Sequence, residues 1–333
     1  MNNKSRYPKI AIRSKRELAK RLSNKEYSVD SMMTLINDVI KNYSKYWADN
    51  LKQSQPIKNK WVRGASRTKL GVLLERINAK VLRPYDDFIP SFVFGGVSGR
   101  STKMAVESLL GKRLKRKRIL LKLDISRFFE QIKYERVYKF FLDKGECKYR
   151  GAKLLADLCC VPIGPKDNPG SYKTIGRGFS TSSRLAVWCN IDTFIKLERL
   201  VKKELQGKDP CIAIYVDDIG ITAKTTKEDM VKLYPKIKEI LTGDIKQRLP
   251  LNDAKSKIVY HSGEEYSVKG DYIRRRSYEH LGLQMKVNSV CIGSKTRWKL
   301  VDLASQYKNS HRKNSAIRKK RVSTLRYKRY IEG

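Results

Sequence analysis

The sequence predicts an α+β fold, which combines helices with a sheet of antiparallel strands, for this chain of 333 residues. Apolar residues recur at intervals of three and four over long stretches, which is typical of amphipathic helices. Two runs, 118–124 and 211–224, are rich in β-branched or aliphatic residues and predict buried strands instead. Because 40% of the residues are hydrophobic, the chain can bury a core, and wholesale disorder is excluded.

The first third of the chain is predicted to be helical. Helices are expected over 14–55, 68–82 and 102–111, where the apolar spacing is that of one helix face. Pro56 ends the first of them, and the glycine-rich stretch 94–101 predicts a loop before the third.

The rest of the chain alternates between strands and helices. The predicted elements are, in order, a strand over 118–124, helical structure over 133–160, a long loop over 162–182, a helix over 183–206, a β-hairpin over 211–224, a helix over 226–248, and short strands over 256–260, 278–284 and 286–292.

The charge of the chain indicates its partner. Seventy-three Lys and Arg residues stand against 33 Asp and Glu residues, a formal net charge of +40 at pH 7. Nucleic acid is the usual partner of such a chain, because neutralising phosphates releases counterions. On composition alone, a ribosome-associated protein or a binder of acidic membranes remains the alternative.

The chain is expected to act in the cytoplasm and away from membranes. It has no apolar run of about 18 residues, and its first residues carry charge without an apolar core, so neither a membrane span nor a secretory signal is predicted. The six cysteines show no CxxC spacing and the three histidines are scattered. We therefore expect reduced thiols and no zinc site.

Three carboxylates stand where predicted strands end. Asp124 closes the apolar strand over 118–124, and Asp217 and Asp218 lie at the tip of the hairpin over 211–224. Carboxylates beside buried strands are costly unless something compensates, and oxygen ligands suit Mg²⁺, with Mn²⁺ as a substitute. Two such ions support nucleotide transfer to a hydroxyl. The alternative is that these are turn aspartates without a ligand.

Six segments, in this order, resemble motifs of the reverse transcriptases: FVFGGVSGRS (92–101), LKLDISRFF (121–129), IGRGFSTSSRLAVWCNID (175–192), IYVDDIGIT (214–222), LNDAKSK (251–257) and HLG (280–282). The resemblance implies a right-hand polymerase fold and RNA-directed DNA polymerase activity that adds dNTPs to a 3′ end. It implies N-terminal helices and fingers over 1–116, a palm on an antiparallel sheet over 117–284 with a fingers insertion around 133–182, and a small basic helical thumb over 285–333.

The resemblance also implies a set of catalytic residues. Asp124 and Asp217 would hold two Mg²⁺ ions, with the backbone carbonyl of Ile125 as a further ligand. Asp218 would complete the acidic cluster. Lys255 would protonate or neutralise the leaving pyrophosphate.

Residues that contact the incoming nucleotide are implied in the same way. Phe129 matches an aromatic gate that would exclude a 2′-hydroxyl, although on its own it is equally typical of a core aromatic. Arg63 and Arg67 are candidates for binding the triphosphate.

Further residues are implied to contact primer and template. Tyr215 and Val216 would flank the primer terminus, and Arg100 and Ser101 would reach the template, although Ser101 is also a good helix N-cap. A basic stretch near the end of the chain would contact A-form backbone; its residues are Arg318, Lys319, Lys320 and Arg321.

The loop that begins the segment 175–192, here called the Gly/Ser loop, departs from the family pattern. In that pattern a Gln precedes the Gly. The preferred register places Ile175, Gly176 and Ser180 at the nucleotide. The other register lies two residues further along and puts Arg177 in the place of the Gln. In both registers the Gln is missing, which puts nucleotide selectivity in question.

Among reverse transcriptases, the chain resembles the compact prokaryotic enzymes. The stretch 133–145 is similar to the retron and defence-associated group, whereas Ile175 with Gly176 is similar to the diversity-generating group. We expect an enzyme that copies a dedicated structured RNA in antiphage defence, together with an effector partner. The alternatives are a diversity-generating enzyme, a partner-dependent polymerase that makes protein-primed or non-templated DNA, and an RNA scaffold without synthesis.

Overall fold

A computed structural model describes residues 7–111, 117–244, 248–286, 289–310 and 314–333. The helices in this part of the chain are α1 (Lys15–Leu22), α2 (Val29–Lys41), α3 (Lys69–Ile77), α4 (Thr102–Ser108), α5 (Tyr134–Lys139), α6 (Tyr149–Cys159), α7 (Ser182–Glu204), α8 (Lys227–Thr242), α9 (Ser294–Asn309) and α10 (Ser315–Glu332). The strands are β1 (Ala48–Asp49), β2 (Arg63–Gly64), β3 (Ile119–Asp124), β4 (Cys160–Pro162), β5 (Lys173–Ile175), β6 (Cys211–Tyr215), β7 (Asp218–Ala223), β8 (Lys257–Val259), β9 (Glu264–Ser267), β10 (Tyr272–Arg275), β11 (Glu279–His280), β12 (Leu283–Met285) and β13 (Val290–Ile292).

These elements form two compact units, each built from separate stretches of the chain. The first unit contains the described parts of 1–99, 126–196 and 240–250, and the second contains those of 100–125, 197–239 and 251–333. The predicted palm, 117–284, contributes to both units, because packing groups segments without regard to their order in the chain. Among the described helices, none combines the length and the apolar character needed to cross a membrane.

The second unit is built on a six-stranded sheet in the order β10-β9-β8-β3-β7-β6, in which every neighbouring pair is antiparallel. Strand β3 lies inside the sheet, and its leucines Leu120, Leu121 and Leu123 are buried. The expectation of a buried strand is therefore confirmed. The predicted hairpin over 211–224 is also confirmed, since β6 and β7 pair from Cys211↔Thr222 to Tyr215↔Asp218.

The second unit also contains a smaller sheet, β11-β12-β13, and the two long helices α9 and α10. His280 in β11 is buried and packs against Gly220 of β7, where an added Cβ would lie 2.7 Å from His280 Nε2. The basic C-terminal segment is helical, as expected, and its buried residues include Leu303, Thr324 and Ile331.

The first unit is largely helical. Helix α3 buries Leu70, Leu73, Leu74 and Ile77, which confirms the one-face spacing predicted over 68–82. The expectation of continuous helix over 14–55 is wrong. Helix α1 ends at Leu22, and α2 begins after Ser28, whose side chain accepts a hydrogen bond from the Ser31 N–H.

Two further expectations needed the structure to correct them. The predicted loop over 162–182 contains strand β5, which pairs with β4 from Cys160↔Ile175 to Pro162↔Lys173. Short strands of this kind leave too little periodicity in the sequence to be separated from a loop. The predicted helix over 226–248 ends at Thr242.

Gly220→Ala is expected to destabilise the second unit. The new Cβ would lie 2.7 Å from both His280 Nε2 and Leu109 Cδ1, so buried groups would have to move. Overpacking of this kind costs about 1–3 kcal/mol, and calorimetric melting of the intact protein measures the loss. Gly64→Ala is the matched control, because its nearest neighbour would lie 3.9 Å away; a similar loss in both variants would contradict the explanation.

Candidate active site

The central strands bring two of the predicted aspartates together. Asp124 is the last residue of β3 and Asp218 is the first of β7, and they are direct partners in the antiparallel ladder. Directly opposite residues project to the same face, with Cβ atoms about 4.5–5.5 Å apart. Asp217 lies in the turn before Asp218, and its carbonyl accepts a hydrogen bond of 2.9 Å from the Ile125 N–H. The three aspartates therefore lie at one end of two neighbouring strands.

The turn that carries Asp217 is held in a strained conformation. Only Val216 and Asp217 lie between the paired residues Tyr215 and Asp218. Val216 has φ +59°, in the left-handed region that a β-branched residue rarely adopts. Such a residue costs of order 1–3 kcal/mol and persists only where its surroundings hold it. The surrounding structure therefore holds this turn, and with it Asp217 and Asp218, in one defined conformation.

Asp124 is supported by the segment that follows α8. The Asp124 N–H donates to Ser256 Oγ at 3.3 Å, and the Asn252 N–H donates to the Asp124 carbonyl at 2.8 Å. The Lys255 ammonium lies 3.0 and 3.3 Å from the two carboxylate oxygens of Asp124. The structure therefore brings the predicted Lys255 directly to the predicted acidic cluster.

The electrostatics at this site show an excess of negative charge. Burial, then the charges of Asp217 and Asp124, raise the pKa of Asp218 to about 6, while Lys122 and Lys255 act in the opposite direction. Burial also lowers the pKa of Lys122, on the central strand. The site therefore favours the arrival of a further cation.

The residues present suit a hard divalent cation in chemical type. Carboxylate and carbonyl oxygens are the ligands that Mg²⁺ and Mn²⁺ prefer, and the raised pKa of Asp218 shows negative charge that lacks full compensation. No group of three or more His, Cys, Asp and Glu side chains is arranged to hold a metal ion within the residues that the structure describes. Instead, the ammonium of Lys255 is the cation at Asp124.

The residues predicted to contact the nucleotide lie in the first unit. Phe129 is half-buried, with the Phe128 ring edge-on at 5.7 Å and the Arg177 guanidinium over its face at 4.9 Å. Ile175 is only 1% exposed, so its side chain is part of the core. Gly176 is buried and Ser180 is exposed.

Arg63 has a structural role, and the predicted contact with a triphosphate is not supported. Its guanidinium is buried, forms an ion pair with Asp49 and donates to the carbonyls of Pro162 and Gly164. It also lies over the Trp47 ring. Arg67 is exposed and remains a candidate.

The residues predicted to contact primer and template belong to the second unit. Ser101 caps α4 by accepting from the Met104 N–H, and its hydroxyl is 3.1 Å from the Tyr330 hydroxyl. Arg100 precedes it and is half-buried. Helix α10 contains four consecutive basic residues, Arg318, Lys319, Lys320 and Arg321. Consecutive residues project around most of a helix, so these four side chains cannot all face the same nucleic-acid strand.

Three supporting residues were not predicted. Ser256 and Asn252 hold the backbone of Asp124, and Glu130 forms a two-pronged ion pair with Arg177 at 3.0 and 2.9 Å. Ser256 and Asn252 lie inside the quoted segment 251–257, so that motif held the signal. Glu130 directly follows the motif that ends at Phe129, but nothing in the sequence connects it with Arg177.

Comparison with known proteins agrees with this geometry. Residues 57–285 match the family model described as reverse transcriptase (RNA-dependent DNA polymerase). This range covers more than half of the chain and includes all six quoted segments, so the chain belongs to the reverse transcriptase family. The predicted family is thus confirmed.

A known relative indicates which group of reverse transcriptases the chain resembles. The chain is similar to the retron Ec48 reverse transcriptase of Escherichia coli, with 28% identity over 213 residues. The aligned region is 61% of this chain and 46% of the relative, so the chain spans about half the length of that protein. The predicted resemblance to prokaryotic, retron-like enzymes is confirmed. Members of the reverse transcriptase family generally use divalent metal ions.

Asp218→Asn is expected to stabilise the metal-free protein at pH 8. The pKa of Asp218 in the folded state is about 6, above the ordinary value of 3.8, so its favourable contribution is present at low pH and lost as the pH rises through 6. The variant should gain at most about 3 kcal/mol in unfolding free energy at pH 8 in EDTA, and almost nothing at pH 4. Thermal melts at both pH values measure this.

Asp209→Asn is the matched control and should have the opposite sign. Burial alone would raise the pKa of Asp209. Hydrogen bonds from Arg118 and Lys224 nevertheless hold this pKa below its ordinary value. Removing that carboxylate should therefore lower the melting temperature at pH 8. A stabilised Asp209→Asn, or a destabilised Asp218→Asn, would contradict this account of the charges.

Proposed function

We propose that this chain is an RNA-directed DNA polymerase that adds dNTPs to a 3′ end with two Mg²⁺ ions, or Mn²⁺ in their place. The observation that carries the proposal is the pairing of Asp124 with Asp218 across β3 and β7, with Asp217 in the adjoining turn. This arrangement lies within the residues that match the reverse transcriptase family.

In this proposal each residue of the cluster has one role. Asp124 and Asp217, with the Ile125 carbonyl, would hold the metal ions, and Asp218 would add charge to the cluster. Bound divalent ions activate an attacking hydroxyl and neutralise charge on a leaving pyrophosphate. Lys255, which hydrogen-bonds to Asp124, would be released to donate a proton to the pyrophosphate.

The proposal extends to fingers, palm and thumb. The six-stranded sheet would be the palm, and α9 with α10 would form the thumb. Arg67, which lies between β2 and α3, would be among the fingers. Phe129 would act as the gate against ribonucleotides, and Tyr215 with Val216 would flank the primer terminus. Arg100 and Ser101 would contact the template.

The biological role is proposed from the relative. The relative reported above is a retron reverse transcriptase, and this similarity supports a dedicated structured RNA as the template. It also supports a biological role in antiphage defence, together with an effector protein. The six free cysteines fit the reducing bacterial cytoplasm, where we place the enzyme.

Asp217→Asn is expected to abolish DNA synthesis and to retain RNA binding, because it removes one proposed metal ligand and leaves the basic surfaces unchanged. Primer extension with Mg²⁺ and dNTPs on an RNA template should fall at least 10³-fold, since catalysis rests on the ions. Asp157→Asn, which removes an exposed carboxylate paired with Lys153, should leave extension unchanged.

Undiminished synthesis by Asp217→Asn would contradict the proposal. Sequencing the nucleic acid that copurifies with the wild-type and Asp217→Asn proteins would identify template and product together. DNA attached covalently to the wild-type protein would support protein priming instead of a separate primer.

Removing two basic residues of α10 should weaken nucleic-acid binding in a salt-dependent manner. Arg318 and Lys319 are both exposed, and each phosphate they neutralise contributes to the salt slope. The double alanine variant should reduce the slope of log K against log salt by about 1–2 for an RNA–DNA duplex. Lys20 and Arg21, an exposed consecutive pair on α1, provide the matched double alanine control, and an equal reduction there would contradict a specific role for α10.

A further inference from the structure

Arg177 connects the Gly/Ser loop with two other parts of the first unit, the segment 129–130 and β2. Its guanidinium holds the carboxylate of Glu130 through two hydrogen bonds of 3.0 and 2.9 Å. The same guanidinium lies over the face of the Phe129 ring, 4.9 Å from the centroid. Its backbone carbonyl accepts a hydrogen bond of 2.6 Å from the N–H of Arg63, in β2.

These contacts restrain the Phe129 ring from two sides. Phe128, which is fully buried, lies edge-on to the ring at 5.7 Å, and Arg177 covers its face. Glu130 is 9% exposed, so its carboxylate depends on Arg177 for compensation. A planar guanidinium with two fixed hydrogen bonds has little freedom to turn. The ring therefore has a preferred orientation set by a neighbouring ion pair.

The local backbone also favours Arg177 as the residue in the place of the missing Gln. Gly178 has φ +100°, and an added Cβ there would lie 2.6 Å from the Arg63 carbonyl oxygen, so this position requires glycine. The buried Ser182 donates to the Gly176 carbonyl at 2.6 Å. By contrast, the side chain of Ile175, which the register preferred from the sequence would use, is buried in the core.

We propose that Arg177, held by Glu130, is a positioning residue that sets the orientation of the Phe129 ring and thereby the preference for deoxynucleotides over ribonucleotides. The inference rests on the proposed polymerase function and on Phe129 as the gate. Arg177 acts through the ring, and it takes over the selectivity that the absent Gln leaves unassigned.

The test measures the ratio of kcat/KM for dGTP to that for GTP in single-nucleotide primer extension. Arg177→Lys keeps the positive charge and removes the planar fork. We expect the ratio to fall about tenfold, mainly through a lower KM for GTP, with kcat for dGTP within threefold of the wild type. An unchanged ratio would overturn the proposal.

A double-mutant cycle separates positioning from direct contact. Phe129→Val removes the ring, so Arg177→Lys should have no further effect on the ratio in that background. If Arg177→Lys lowers the ratio equally with and without the ring, Arg177 contacts the nucleotide itself, and the positioning role is overturned.

Arg76→Lys is the matched control. The Arg76 guanidinium also lies over an aromatic ring, that of Tyr27 at 4.4 Å, and is 3.6 Å from Glu26, but it belongs to α3. It should reproduce any loss of stability and leave the nucleotide ratio unchanged; an equal change in ratio would overturn the proposal.

A second variant covers a failure of Arg177→Lys to fold. Glu130→Gln keeps the shape of the partner and weakens the ion pair, and it should lower the ratio about two- to fivefold; no change would overturn the proposal. The assay distinguishes a failure of the proposed polymerase function from a failure of the proposed role of Arg177. A wild type that incorporates neither nucleotide refutes the polymerase function and this inference with it, whereas an active, selective wild type with insensitive variants refutes only the inference.

Discussion

The antiparallel pairing of β3 with β7 is the constraint on which the candidate site depends. It places Asp124 opposite Asp218 and, through the hydrogen bond from Ile125 to Asp217, ties the hairpin turn to the end of the central strand. Because side chains alternate between faces, a slip of one residue would turn the two aspartates to opposite sides of the sheet. The buried apolar residues of β3 prevent that slip, so the core of the second unit also determines the geometry of the site.

The same pairing gathers negative charge that the protein only partly compensates. Lys255 contacts Asp124, and Lys122 lies on the same strand, yet the pKa of Asp218 remains about 6. A folded protein retains such an arrangement against its own stability when the charge serves a ligand. In a chain of net charge +40, three neighbouring carboxylates contrast with the overall positive charge, and this contrast supports the proposed metal-dependent chemistry on a polyanion.

Buried arginines organise the first unit. Arg63 joins β2 to the segment around Pro162 and Gly164, and Arg184 forms a buried ion pair with Asp86. Removing one partner of a buried pair leaves an uncompensated charge, which makes these contacts costly to break. The ion pair between Arg177 and Glu130 likewise holds the residues around Phe129, so a structural ion pair also borders the predicted nucleotide site.

The sequence by itself determined the buried strand β3, the β6–β7 hairpin, the aspartates at their ends and the family motifs, because apolar runs and short motifs are local properties. It also predicted a nucleic-acid partner, since net charge needs no structure. Only the tertiary structure decided that Asp124 faces Asp218, that Arg63 is buried and that Arg177 pairs with Glu130. These contacts join residues far apart in the chain, and pairing register and side-chain burial arise from packing, which local periodicity does not encode.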